Sequence, residues 1–151
     1  MELTHVGPAG EARMVDVGGK PVSRRTALAS GRIRLTPATL ELIRTNQIKK
    51  GDVLASARIA GIMAGKRTAG LIPLCHNIPI EKIEVRLTLQ ADGVFIEAEA
   101  ACEAKTGIEM EALTAVVVAA LTVYDMCKAV DKSMSIEDIR LLKKTKNAVH
   151  D

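Results

Sequence analysis

The chain has 151 residues, of which 48% are hydrophobic and 26% charged, enough for one domain (1–151) with an ordinary core. A net charge of +3 is mild: it suits an anionic small molecule without implying a nucleic acid. With one Tyr, one Phe and no Trp, the chain lacks the aromatic platforms that single-stranded nucleic acid requires.

Cys75, Cys102 and Cys127 are odd in number and share no CxxC spacing. They fit a reduced protein, and no metal site is expected from them. The amino terminus, MELTHVGPAGEARMVDVGG, has no charged-then-apolar leader pattern, so the expected compartment is the cytoplasm.

Residues 1–32 are rich in Gly, Pro and Arg and read as an extended, partly mobile arm with a short strand-like piece at 14–17. Residues 32–35 form a second short strand candidate. Thr36-Pro37 offers an N-cap and a first-turn proline for a helix over 36–46. Lys49-Lys50-Gly51 makes a basic turn, and Asp52 caps a second helix running to about 69, stopped by Gly70 and Pro73.

Leu74-Cys75-His76-Asn77 lies between Pro73 and Pro79, so its backbone is stiffened at both ends. Ile83, Val85, Leu87 and Leu89 then alternate with polar residues, Asp92-Gly93 supplies a turn, and Val94, Ile96, Ala98 and Ala100 resume the alternation. That predicts an antiparallel hairpin with one buried face.

Residues 106–132, TGIEMEALTAVVVAALTVYDMCKAVDK, predict one long helix. Thr106 and Glu109 have capping-box spacing, which places the helix start near Gly107. The uncharged run 112–123 predicts burial almost all round, and it is too short to span a bilayer. Glu111, Thr114, Val118, Thr122 and Asp125 share a stripe, with Lys128 one turn beyond Asp125. A strand over 135–142 closes the chain. The element order predicts an α+β fold with helices on one face of an antiparallel sheet.

Each candidate functional group has a structural reading beside it. Gly65-Lys66 resembles a phosphate-binding loop, but Ala60 and Arg67 break the pattern, and Lys66 and Arg67 would be favoured at a helix C-terminus anyway. Arg24-Arg25, Lys49-Lys50 and Lys66-Arg67 are solvated pairs or, if they converge, partners for a polyanion such as a triphosphate. His76, outside the termini that hold His5 and His150, is either structural or a ligand contact. Asp125 and Lys128 are either an intrahelical ion pair or an acid–base pair in a partly dry site. Glu111 stands 14 residues from Asp125, about 21 Å along a helix. Either the ligand is long or a second subunit completes the site. An apolar helix in so small a chain favours the second subunit.

Three segments carry a resemblance. MVDVGGKPVSRR, KKGDVLASARIAGIMAGKRTAGLIPLCHNIPI and KTGIEMEALTAVVVAALTVYDMCKAVDK closely resemble, in collinear order, the MoaC family of cyclic pyranopterin monophosphate synthases of molybdenum cofactor biosynthesis. The resemblance implies a ferredoxin-like subunit and a homohexamer, a trimer of dimers with active sites at the dimer interface. It implies a phosphorus–oxygen lyase acting on (8S)-3′,8-cyclo-7,8-dihydroguanosine 5′-triphosphate, with no membrane partner. By that resemblance Asp125, Lys128 and Lys50 are catalytic. Leu74, Cys75, His76, Glu109, Met110, Glu111, Arg25, Lys66 and Arg67 contact substrate. No cofactor is required, although Mg²⁺ is expected to be able to accompany the triphosphate. Two departures from the resemblance stand out: many members continue after the last strand into a Gly-Lys-Ser-Gly-containing tail, where here Lys143-Lys144-Thr145-Lys146-Asn147 leads straight to the end, and Asn77 stands where many have proline. The competing readings are a non-catalytic oligomeric sensor of a purine nucleotide or pterin, and a structural subunit of a cofactor-assembly complex.

Overall fold

A computed structural model describes residues 6–149. His5 and His150 therefore lie outside the described residues. In chain order the elements are β1 (Ser23–Arg34), α1 (Pro37–Arg44), α2 (Val53–Gly65), α3 (Thr68–Leu71), β2 (Ile80–Gln90), β3 (Gly93–Ala104), α4 (Glu109–Cys127) and β4 (Ser135–Ala148). The four strands form one antiparallel sheet in the order β2-β3-β1-β4. That is the βαββαβ arrangement of a ferredoxin-like α+β fold, as expected.

The β2–β3 hairpin forms as its alternation predicts, turning at Asp92-Gly93 and extending further at both ends. Its inward residues, Val85, Leu87, Val94, Ile96, Ala98 and Ala100, are all buried. α1 begins as read: the Thr36 hydroxyl accepts from the Thr39 amide, and Pro37 occupies the first turn. The Asp52 carboxylate caps α2 by accepting from the Ala55 amide. α2 ends at Gly65 rather than near 69, because Lys66 and Arg67 form a break before the short α3.

Three expectations need correction. The extended arm does not run to residue 32: Ser23–Arg34 is one continuous central strand, bonded to β3 on one side and β4 on the other. The capping box is not realised, since α4 starts at Glu109 with Ile108 at its N-cap and no side-chain cap. The helix ends at Cys127, with Lys128 at its C-cap, and β4 continues to Ala148.

α4 packs across the sheet and against α2. Glycines and alanines make that contact close. A Cβ on Gly61 would sit 2.8 Å from the Ala115 carbonyl oxygen. Ala112, Ala115, Ala119 and Ala120 are fully buried. One side of the helix nevertheless remains open: Leu121 is 51% and Tyr124 37% exposed. Burial almost all round is thus not achieved within one protomer. By length and composition alone α4 is long and apolar enough to cross a membrane, but here it is a core helix against sheet and α2.

Candidate active site

The chemistry-bearing residues gather at the two ends of α4. At its N-terminal end lies a cavity of about 260 Å³. Leu74, Cys75 and His76 form one wall, and Glu109, Met110 and Glu111 from the first turn of α4 form another. Val15 and Val17 of the arm close a third side, with Lys20 and Thr106 at the rim.

The stiff segment between the prolines explains the first wall. It presents three consecutive side chains without regular hydrogen bonding. His76 Nε2 donates to the Val15 carbonyl oxygen at 2.6 Å, because a carbonyl only accepts, which fixes that nitrogen as protonated and ties the arm to the pocket. Lys105 Nζ fastens the arm again by donating to the Gly18 carbonyl oxygen at 2.7 Å.

Glu111 is only 4% exposed. Burial pushes its carboxyl above the usual range, and the neighbouring Glu109 carboxylate adds to the effect. Burial likewise raises the Cys75 thiol, with Glu111 contributing, so Cys75 is a neutral wall residue rather than a thiolate nucleophile. Glu109 makes an ion pair with Lys144 of β4 at 3.3 Å. Arg25 NH2 donates to the Lys105 carbonyl oxygen at 3.4 Å, while its buried Nε has no partner.

The other end of α4 carries a cationic–anionic triad. Asp125 Oδ2 accepts from Lys50 Nζ at 2.7 Å, and Oδ1 pairs with Lys128 Nζ at 2.8 Å. Lys50 also donates to the Asp125 backbone carbonyl oxygen at 3.2 Å. Gly51, at φ +103°, makes the turn that brings Lys50 there. Hydrogen bonds from Lys128 and then Lys50 hold the Asp125 carboxyl at about 2, and Asp125 in turn raises Lys128. The mutual tuning expected from the sequence is present. The dry setting is not: the three side chains are 50–57% exposed.

Lys66 and Arg67 lie exposed at the α2–α3 junction. Lys66 lines a second, shallower cavity that shares Ile78 with the pocket, which places it beside the N-terminal end of α4. The structure therefore gathers Leu74, Cys75, His76, Glu109, Met110 and Glu111, sets Lys66 and Lys144 near them, and puts Lys50, Asp125 and Lys128 apart from them. Val15, Val17 and Lys20 were not singled out from sequence as site residues, and Thr106 was read only as a helix cap. The alternation of Val15 and Val17 with Asp16 was the available signal.

The model of the MoaC family matches residues 14–147. The chain belongs to the MoaC family. It is 57% identical over 145 residues to the cyclic pyranopterin monophosphate synthase of Thermomicrobium roseum, spanning 95% of this chain and 87% of that one. The match to the same-named protein of Chloroflexus aurantiacus is 57% over 145 residues, covering 95% and 89%. The mitochondrial cyclic pyranopterin monophosphate synthase of Arabidopsis thaliana is 56% identical over 146 residues, spanning 95% of this chain and 54% of that longer one. The MoaC match thus takes in both ends of α4, the pocket and the Lys50–Asp125–Lys128 triad alike.

Proposed function

We propose that this chain is a cyclic pyranopterin monophosphate synthase, a phosphorus–oxygen lyase of molybdenum cofactor biosynthesis working in the cytoplasm. It converts (8S)-3′,8-cyclo-7,8-dihydroguanosine 5′-triphosphate to cyclic pyranopterin monophosphate and pyrophosphate. What carries this reading is one conjunction: a chain 57% identical to a relative of that name holds a carboxylate- and histidine-lined pocket with cations beside it, plus a Lys–Asp–Lys triad.

The pocket grips the base and ribose through His76, Glu109 and Glu111. Arg25, Lys66 and Arg67 meet the phosphates, whose negative charge grows as pyrophosphate leaves. Ring opening and reclosure need proton transfers, which fall to Asp125 and Lys128 with Lys50 assisting. In the final closure a substrate hydroxyl oxygen attacks the α-phosphorus, the bond to the bridging oxygen of the β-phosphate breaks, and the hydroxyl proton passes to a base of the triad. A Mg²⁺ ion accompanying the triphosphate would belong to the substrate.

About 21 Å of helix separates Glu111 from Asp125, so a second copy brings its triad to this pocket. A homohexamer built as a trimer of dimers supplies that copy. The exposed apolar side chains Ile59, Met63, Leu71 and Leu121 offer surface for such contacts. Seating the partner excludes water around Asp125 and raises its proton affinity from about 2 toward a useful base.

One observation favours a non-catalytic nucleotide or pterin sensor: the triad is half exposed and behaves as a surface ion pair. Incubation with the cyclic triphosphate, followed by pyrophosphate release, separates the two. Release at a steady rate supports the synthase; binding without release leaves the sensor.

A further inference from the structure

One edge of the sheet carries a row of three cations, of which Lys146 has no role assigned so far. β4 pairs with β1 so that Lys146 faces Arg25 and Lys144 faces Ala27. Residues opposite one another in an antiparallel pair point to the same face, and side chains alternate along a strand. Ala27 is 1% exposed and belongs to the core. Arg25, Lys144 and Lys146 therefore project from the core-side face of the sheet, where α4 begins. The contact of Lys144 with Glu109, a pocket residue, places this row at the pocket rim.

Glu109 answers Lys144, the buried Arg25 Nε has no partner, and among the described residues Lys146 makes no ion pair. The first turn of α4 adds backbone N–H groups that no side chain caps, at the positive end of a 19-residue helix. Lys144 and Lys146 are about 6.6 Å apart along the strand, a spacing that a chain of phosphates can bridge.

We propose that Lys146 is a further substrate-binding residue, completing with Lys144 and Arg25 a cationic ledge that takes the phosphate tail of the substrate. Its register also shows why a lysine at 146 serves while one at 143 does not: Lys143 pairs with Leu28 and stands on the opposite face, beside Thr26 and Glu99. The substrate in this inference rests on the synthase reading; the anion site itself does not.

Calorimetric binding of pyrophosphate alone tests the ledge. Lys146→Ala should weaken pyrophosphate about tenfold, which is about 1.4 kcal/mol. It should raise KM for the cyclic triphosphate similarly, leaving kcat within about twofold. Lys146→Arg should restore most of the affinity, and raising the salt should shrink the difference. Lys143→Ala should match the wild type in every measurement. Unchanged pyrophosphate binding in Lys146→Ala, or an equal loss in Lys143→Ala, overturns the ledge. If the wild type releases no pyrophosphate from the cyclic triphosphate while the Lys146 effect on binding persists, the synthase reading falls and the ledge stands.

Discussion

Asp131 is 3% exposed, and its carboxylate holds the turn after α4 to the start of α1. Oδ2 accepts from the Thr36 amide at 2.9 Å; Oδ1 accepts from the Ser133 amide at 3.0 Å and its hydroxyl at 2.9 Å. Burial alone pushes the carboxyl up, but donors from Thr36, Ser133 and Thr39 outweigh it and hold it at about 2, down from 3.8. With some solvent screening allowed, that depression is worth roughly 2 kcal/mol at pH 7. Because the folded value lies below the unfolded one, the contribution is complete above about pH 5 and is lost as pH falls through about 2. About half should be gone at pH 3. Asp131→Asn keeps the shape and removes the charge. At a fixed protomer concentration, its Tm at neutral pH should fall by about 4–8 °C. Urea unfolding of both proteins from pH 7 to pH 3 then tests the cause, since every other carboxylate cancels in the comparison. A stability gap as wide at pH 3 as at pH 7 would refute the role of the charged carboxylate.

The Asp125 carboxyl is ionised well below neutrality, so a carboxyl-carbon NMR titration of the substrate-free protein should show a midpoint below about 3. A midpoint above about 4 would mean that the triad is not formed. Asp125→Ala should abolish pyrophosphate release while size-exclusion profiles stay unchanged, since the side chain is 54% exposed; near-wild-type turnover would end its catalytic assignment. Gly61→Ala forces a methyl group against the Ala115 carbonyl oxygen and should cost about 1–2 kcal/mol, even though alanine is the better helix former. A urea midpoint that holds or rises would show that α2 and α4 part freely. Finally, refolding inactive Asp125→Ala together with inactive Glu111→Ala in equal amounts should recover up to about a quarter of wild-type activity, because mixed dimers own one intact site. No recovery would place both groups in one protomer's site.

The hairpin and the helices were legible because they obey simple periods. Residues 83–89 and 94–100 alternate, and Thr36-Pro37 and Asp52 are caps whose side-chain hydrogen bonds appear as expected. β1 was not legible beyond its last few residues, because SRRTALASGRIR is weak in strand formers. The reason lies in the packing: Ala27, Ala29 and Gly31 face α4, and a Cβ on Gly31 would sit 2.8 Å from Val116 Cγ1. Close approach of the helix selects small residues where a free strand would carry branched ones. The end of β4 was hidden for another reason, since Lys143 to Asn147 is the polar end of an edge strand, where charge is favoured. In the site, residue identities were legible and their partners were not. Lys50 meets Asp125 across 75 positions, and Lys144 meets Glu109 from the far edge of the sheet. No local pattern encodes such contacts.

The same packing dictates where the chemistry can stand. α2 and α4 approach through Gly61, Gly65, Ala115 and Ala119, so the face of α4 turned toward α2 has no room for an ionisable side chain and no water to solvate one. Ionisable groups are left with the two ends. At the N-terminal end, the uncapped amides and the flanking cations favour an anion. At the C-terminal end, Lys128 and Lys50 are favoured by the opposite pole of the dipole and keep Asp125 ionised. On the proposed reading, a substrate that needs both its phosphates held and its protons moved draws on the opposite ends of two copies of this helix. Antiparallel pairing of two such helices brings unlike ends together, and this makes assembly a condition of catalysis on the proposed reading rather than an accessory to stability.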